Sequence, residues 1–202
     1  MKTFLYSLVL LLFQSNLVRS QSDALEAVKS KFSNGDCSHF EFANIIESKI
    51  FGVIDTIHGS AYIAQDGRYK IEIGSDVFLY DGSLLYTYFW ETNQLIIEKP
   101  DSGILVSDEI SFVIKLDEWY DSKANSKNSF ALTKKEGVKG DIPDSLELIT
   151  NIADSSIVEI RYIDINEDLN RVKFLSQKTD LSCSAKGFEP DFPDSVEKVK
   201  LY

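Results

Sequence analysis

The chain is short of most features that would assign it a chemistry. Two cysteines in 202 residues are too few for a disulfide scaffold or a four-cysteine zinc site. Four prolines and ten glycines exclude collagen-like and Pro/Gly-rich low-complexity readings. Basic residues are outnumbered 21 to 32, for a formal charge of −11. So acidic a surface has little with which to hold a phosphate backbone, and no nucleic-acid partner is expected. The two histidines, His39 and His58, sit in strand-like segments, where structural or exposed roles are the simpler reading. HExxH, GxSxG, Walker A and GxGxxG motifs are all missing. Cys37 and His39 lie two apart and could share a strand face, but a disulfide competes for the sulfur. Asp164, Asn166 and Asp168 resemble the start of a calcium loop, yet Leu169 stands where that loop needs glycine, so a hairpin turn fits better. Glu41, Glu72, Asp117 and Glu118 are scattered and belong most simply to wet faces or turns. No enzyme, cofactor or metal site is expected.

The N-terminus carries a positive signal. Lys2 precedes an apolar run from Phe4 to Phe13, and Val18-Arg19-Ser20 offers a small residue before Gln21. This is the order of a secretory signal peptide, expected to span 1–20, with one domain over 21–202. The run is too short for a bilayer core of about 20 residues, and no later segment is longer and equally apolar. An exported protein meets oxidising conditions, so Cys37 and Cys183 can pair or remain two separate thiols.

Beyond that leader, periodicity dominates. Residues 21–32 read as a helix with Ala24, Ala27, Val28 and Phe32 near one stripe, stopped at Asn34-Gly35. From Cys37 to Lys99 strand follows strand, most cleanly at Arg68-Tyr69-Lys70-Ile71-Glu72-Ile73, where charged and apolar residues alternate. Gly59-Ser60, Asp66-Gly67, Asp81-Gly82 and Thr92-Asn93 read as turns. Ser107 to Leu116 has a capped helical pattern with Ile110, Val113 and Ile114 on one side. Asp121 to Asn128 reads as a polar linker or loop tip. Strands resume at 130–134, 146–152, 157–164, 169–177, 181–185 and 196–201. The expectation is ten or eleven antiparallel strands and two helices. A sheet that large usually curls or splits, so a half-barrel with a helical cover is expected. The 24 aromatic residues, 13 Phe, 9 Tyr and 2 Trp, would pack its core or line a cavity for an apolar ligand.

Several segments, taken in order, resemble one family. Asp81-Gly82-Ser83-Leu84-Leu85-Tyr86-Thr87-Tyr88 with Gln94 is similar to the DGKTLWFY…Q hairpin of LolA-type periplasmic lipoprotein carriers. Gly59-Ser60-Ala61-Tyr62 and Gly67-Arg68-Tyr69-Lys70-Ile71 resemble that family's preceding strand pair. Phe130-Ala131-Leu132-Thr133-Lys134 and Phe188-Glu189-Pro190-Asp191-Phe192-Pro193 resemble its later motifs. The resemblance implies a mainly β, open antiparallel barrel with a helical lid. It implies a carrier that shelters the acyl chains of lipoproteins between an inner-membrane ABC-type extractor and an outer-membrane acceptor, in the periplasm and as a monomer. Shelter is needed because each exposed CH₂ costs about 0.8 kcal/mol in water. The expected cavity residues are Val28 and Phe32 on the first helix, Tyr69, Ile71 and Ile73 on a strand, and Phe112 and Val113 on the second helix. Gln65 stands where the family carries a basic residue linking strand to lid, and nearby Arg68 is expected to deputise. A lipid-sensing regulator on the same fold is the first rival. An exported hydrolase is the second, lacking a nucleophile or carboxylate pair.

Overall fold

A computed structural model describes residues 25–28, 30, 35–99, 116–138 and 142–201. Twelve strands form one sheet: β1 (Cys37–Glu47), β2 (Ile54–Ala64), β3 (Tyr69–Ile73), β4 (Asp76–Tyr80), β5 (Leu85–Phe89), β6 (Gln94–Glu98), β7 (Tyr120–Ser126), β8 (Ser129–Lys134), β9 (Ser145–Asn151), β10 (Ser156–Ile163), β11 (Leu169–Leu181) and β12 (Glu197–Lys200). Their order is β12-β6-β5-β4-β3-β2-β1-β11-β10-β9-β8-β7. The sheet is open: β12 and β7 are its edges, and no pairing joins them. Two meanders, β1–β6 and β7–β11, meet where the long strands β1 and β11 pair. β1 through β11 are antiparallel to their neighbours; β12 alone joins in parallel, alongside β6. The expected architecture of an open, mainly β half-barrel is present, with one strand more than the upper expected count.

Turn chemistry fixes the meanders. At Asp81-Gly82, the Asp81 carboxylate accepts the Ser83 and Leu84 amides at 2.7 and 2.8 Å, and Gly82 takes a φ of 100° that a side chain would strain. Asp164 does the same between β10 and β11, accepting the Asn166 and Asp168 amides at 2.8 and 3.0 Å, as a hairpin turn rather than a calcium loop.

Three sequence expectations need correction. Gly59-Ser60 is not a turn but the middle of β2, opposite Phe42 and Glu41. A Cβ at Gly59 would overlap the Phe42 ring and the Glu72 carbonyl, so the glycine is there for a close approach. The real turn is 48–53, where Ser48 and Gly52 (φ 64°) supply the turn chemistry around apolar Ile50, Phe51 and Val53. Asp121–Asn128 is not a linker; most of it is edge strand β7, whose polar side chains suit an exposed edge. The strand expected at 181–185 ends at Leu181, and Ala185–Phe188 forms a 3-10 turn instead. Residues 25–28 and 30 are helical, as is the short helix Leu116–Trp119. Most of the expected 107–116 helix lies outside the described residues.

Candidate functional site: the inner face of the sheet

Alternation gives every strand two faces, and the pairing registers make the inner face continuous. One cross-strand row runs Ala124, Phe130, Leu148, Ile160, Val172, Asn44, Ile57. Another runs Phe40, Ala61, Ile71, Phe78, Thr87, Ile96. Phe42, Ile71, Leu148, Ile160 and Val172 are almost completely buried, and they belong to one apolar cluster that reaches from β7 to β5. Each such side chain contributes on the order of 1.5–3 kcal/mol on burial.

Of the expected cavity residues, the structure brings Val28, Tyr69 and Ile71 into this cluster, with Ile73 packed against it. Tyr69 and Ile71 sit side by side on β3, with Tyr80 of β4 beside Tyr69 at 5.9 Å between rings. Leu25 and Val28 are buried there while Glu26, Ala27 and Ser30 face outward, so these helical residues lay an apolar stripe on the inner face. Trp119 of the short helix joins from the β7 edge. Phe32, Phe112 and Val113 lie outside the described residues.

A polar pair interrupts the apolar rows, and sequence reasoning assigned it no role. Asn44 Nδ2 donates to Asn170 Oδ1 at 3.1 Å, and Asn170 Nδ2 donates to Asp164 Oδ2 at 3.1 Å. Both side chains are buried, and among the described residues Asn44 Oδ1 has no hydrogen-bond partner. The signal was available: Asn44 occupies the apolar phase of the Phe40, Phe42, Ile46 alternation.

The outer face differs between the two meanders. Over β4–β6 it is apolar and covered by the chain after β11. Phe188 packs with Cys37, Ala64 and Leu79; Phe192 lies 6.1 Å from the Tyr86 ring and 5.7 Å from Tyr88; Val196 joins Tyr88, Leu95 and Ile97. Cys37 and Cys183 form a disulfide with Cα atoms 5.3 Å apart, fixing the start of this covering segment to β1. The sulfur is therefore not a nucleophile beside His39. That imidazole stacks on Tyr62 at 4.1 Å, and burial lowers its pKa. Arg68 Nε donates to the Asp66 carboxylate at 2.9 Å, and its guanidinium lies 4.9 Å over the Phe188 ring. It is held on the outer side, by the covering segment. Gln65 is exposed, and its amide donates to the Asp36 carbonyl at 3.0 Å.

Over β9–β11 the outer face is charged. Glu159 receives Arg161 Nε at 2.6 Å and Arg171 Nε at 2.9 Å; Arg161 also reaches Glu147, and Arg171 reaches Glu47, each at 3.4 Å. Burial pushes the Glu159 carboxyl up, but hydrogen bonds and charge from the two arginines outweigh it and hold the pKa below the ordinary glutamate value. Among the described residues no group of three His, Cys, Asp or Glu side chains could hold a metal ion.

No protein-family model and no curated protein matches the chain. Solved structures do. A conserved protein from Thermus thermophilus superposes with a TM-score of 0.51 at 13% identity, covering 89% of this chain and 98% of that one. A LolA superfamily protein from Nitrosomonas europaea gives 0.48 at 8% identity, covering 84% and 97%. A DUF1329 family protein from Desulfovibrio piger gives 0.48 at 11% identity, covering 84% and 97%. At 13% identity and a TM-score of 0.51, the likeness to the Thermus thermophilus protein is one of fold alone.

Proposed function

We propose that the protein is an exported, periplasmic, non-enzymatic carrier of acyl chains, with lipoproteins or lipids as cargo and the inner face of the open sheet as its binding surface. The observation that supports this most is the largely apolar inner face, broken by the Asn44–Asn170 pair, on a sheet that does not close on itself. A closed barrel fixes the volume it encloses; an open one can widen by moving whatever covers it. The ordered motif resemblance points the same way and supplies the direction of transfer, from an inner-membrane extractor to an outer-membrane acceptor. Val28, Tyr69, Ile71 and Ile73, with Phe32, Phe112 and Val113, are proposed to contact the chains. Residues 1–20 are proposed to be removed on export, leaving one domain over 21–202.

Native mass spectrometry with lipid extraction tests this, on protein purified from its own periplasm. The expected result is lipid or lipoprotein co-purifying near one to one. A clean apo mass, with no uptake of added acylated peptide, would mean that the inner face is filled core and would end the carrier reading. Release of labelled lipoprotein from membranes then separates a carrier from a sensor.

A further inference from the structure

The turn that the sequence hid carries a second surface. Residues 48–53 join β1 to β2 with Ile50, Phe51 and Val53 at the tip and Ile54 opening β2; these are 73, 78, 48 and 67% exposed. The β10–β11 turn lies beside it, because Glu47 pairs with Leu169, and adds Ile163 and Ile165, the latter 88% exposed. Six large apolar side chains thus project from two adjacent turns at one end of the sheet. Contiguous apolar patches of this kind mark sites of association.

Several polar groups of the two turns are folded back on one another. The Ser48 amide donates to the Val53 carbonyl at 3.0 Å, the Gly52 amide to the Ser48 carbonyl at 2.9 Å, and the Phe51 amide to Ser48 Oγ at 3.4 Å. Asp168 accepts the Lys49 amide at 3.0 Å, and Glu167 pairs with Lys49 Nζ at 2.9 Å. Asp164 is occupied by its own turn and by Asn170. The amides of Lys49, Phe51 and Gly52 are thus satisfied within the two turns, which lowers the cost of moving this tip into a medium without water, and the apolar side chains stand outermost. A cleft of about 570 Å³ between the two turns is lined by Glu47, Ser48, Lys49, Ile163, Glu167 and Leu169. Ile50, Phe51 and Ile165 are not among the residues that line it and stand 73, 78 and 88% exposed. Charge then selects the kind of membrane. Asp55, Asp164, Glu167 and Asp168 surround a single lysine, Lys49, so an anionic surface repels this end and a zwitterionic one does not.

We infer that the paired 48–53 and 163–168 turns form a docking site for a zwitterionic lipid surface, inserting Ile50, Phe51 and Ile165. This goes beyond the proposed cargo function and does not depend on it. The test is sedimentation of the protein with phosphatidylcholine vesicles, with and without phosphatidylglycerol, comparing the native chain with Ile50→Ser/Phe51→Ser and with Ile165→Ser. Binding is expected to fall about tenfold for each large side chain removed, to weaken as phosphatidylglycerol is added, and to leave the unfolding midpoint nearly unchanged. A Phe51→Trp variant is expected to retain binding and gain quenching by brominated lipid beyond the background from Trp90 and Trp119. Vesicle binding that ignores the substitutions, no binding at all, or a monomer–dimer equilibrium that responds in place of vesicle binding would each overturn the proposal. The vesicles hold no acylated protein, and co-purified lipid is measured separately, so failure here and failure of the carrier reading are distinct results.

Discussion

The two meanders solve one problem in opposite ways. Each has an inner face committed to the common apolar cluster, and each must then deal with an outer face. In the first meander the outer face over β4–β6 is apolar as well, and the segment from Cys183 to Val196 lies over it, anchored by the Cys37–Cys183 disulfide at one end and by parallel pairing of β12 with β6 at the other. In β8–β11 the outer face is wet and held by cross-strand charge, with Glu159 between Arg161 and Arg171. The difference shows that a sheet can be buried on both faces only where chain is left over to cover the second one. That requirement places the disulfide on the covered side.

The largest expected effect comes from breaking that asymmetry at its anchor. A Cys37→Ser/Cys183→Ser variant loses a cross-link spanning 146 residues, and the usual cost is about 2–5 kcal/mol. Urea unfolding measures the total, and amide exchange locates it. Exchange is expected to accelerate in β4–β6 and β12 while β8–β10 keep their protection. Equal loss of protection in both meanders would show that the sheet responds as one unit and that the contrast between its faces has no energetic meaning.

Gly59 sharpens the comparison from the seam, since β2 lies beside the strand where the meanders meet. A methyl group there meets the Phe42 ring and the Glu72 carbonyl. Overpacking of this kind costs about 1–3 kcal/mol. Gly59→Ala is therefore expected to lower the denaturation midpoint by that amount. A neutral result would mean that Phe42 can swing aside and that the seam is loosely packed.

How far the sequence carried the fold follows from the same contrast. The charged meander announced itself: Arg161, Glu159 and Arg171 alternate with Ile160, Tyr162 and Val172, and period-two patterning is legible wherever one face is wet. In β5 the run Leu85-Tyr86-Thr87-Tyr88-Phe89 is apolar or aromatic on both faces, so the pattern gave a strand but could not say that a segment covers it. The turn at 48–53 was illegible because Ser48 and Gly52 stand among apolar Ile50, Phe51, Val53 and Ile54, which read as strand, and Gly59 misled because its reason is the Phe42 ring on the neighbouring strand. On the inner face, Tyr69 and Ile71 follow from alternation plus resemblance, whereas Asn44 needed its partner, Asn170, 126 residues away.

The smallest of these effects tests the charged meander. Glu159→Gln keeps a hydrogen-bond acceptor for Arg161 and Arg171 but removes the charge between them, and a loss of about 1–2 kcal/mol at neutral pH is expected. The pH dependence gives the sign. The folded state holds the Glu159 pKa below its unfolded value, so this carboxylate contributes stability that is fully present above the unfolded glutamate pKa and is lost as pH falls through the folded one. The gap between native and Glu159→Gln stabilities should therefore narrow on acidification and stay constant from the upper carboxylate range to neutrality. The Cys37→Ser/Cys183→Ser loss involves no titrating group in that window and should stay flat throughout. If the Glu159→Gln gap is also flat, the arginines are satisfied by Glu47 and Glu147 without their central partner, and packing of the inner face, not charge, holds β9–β11 together.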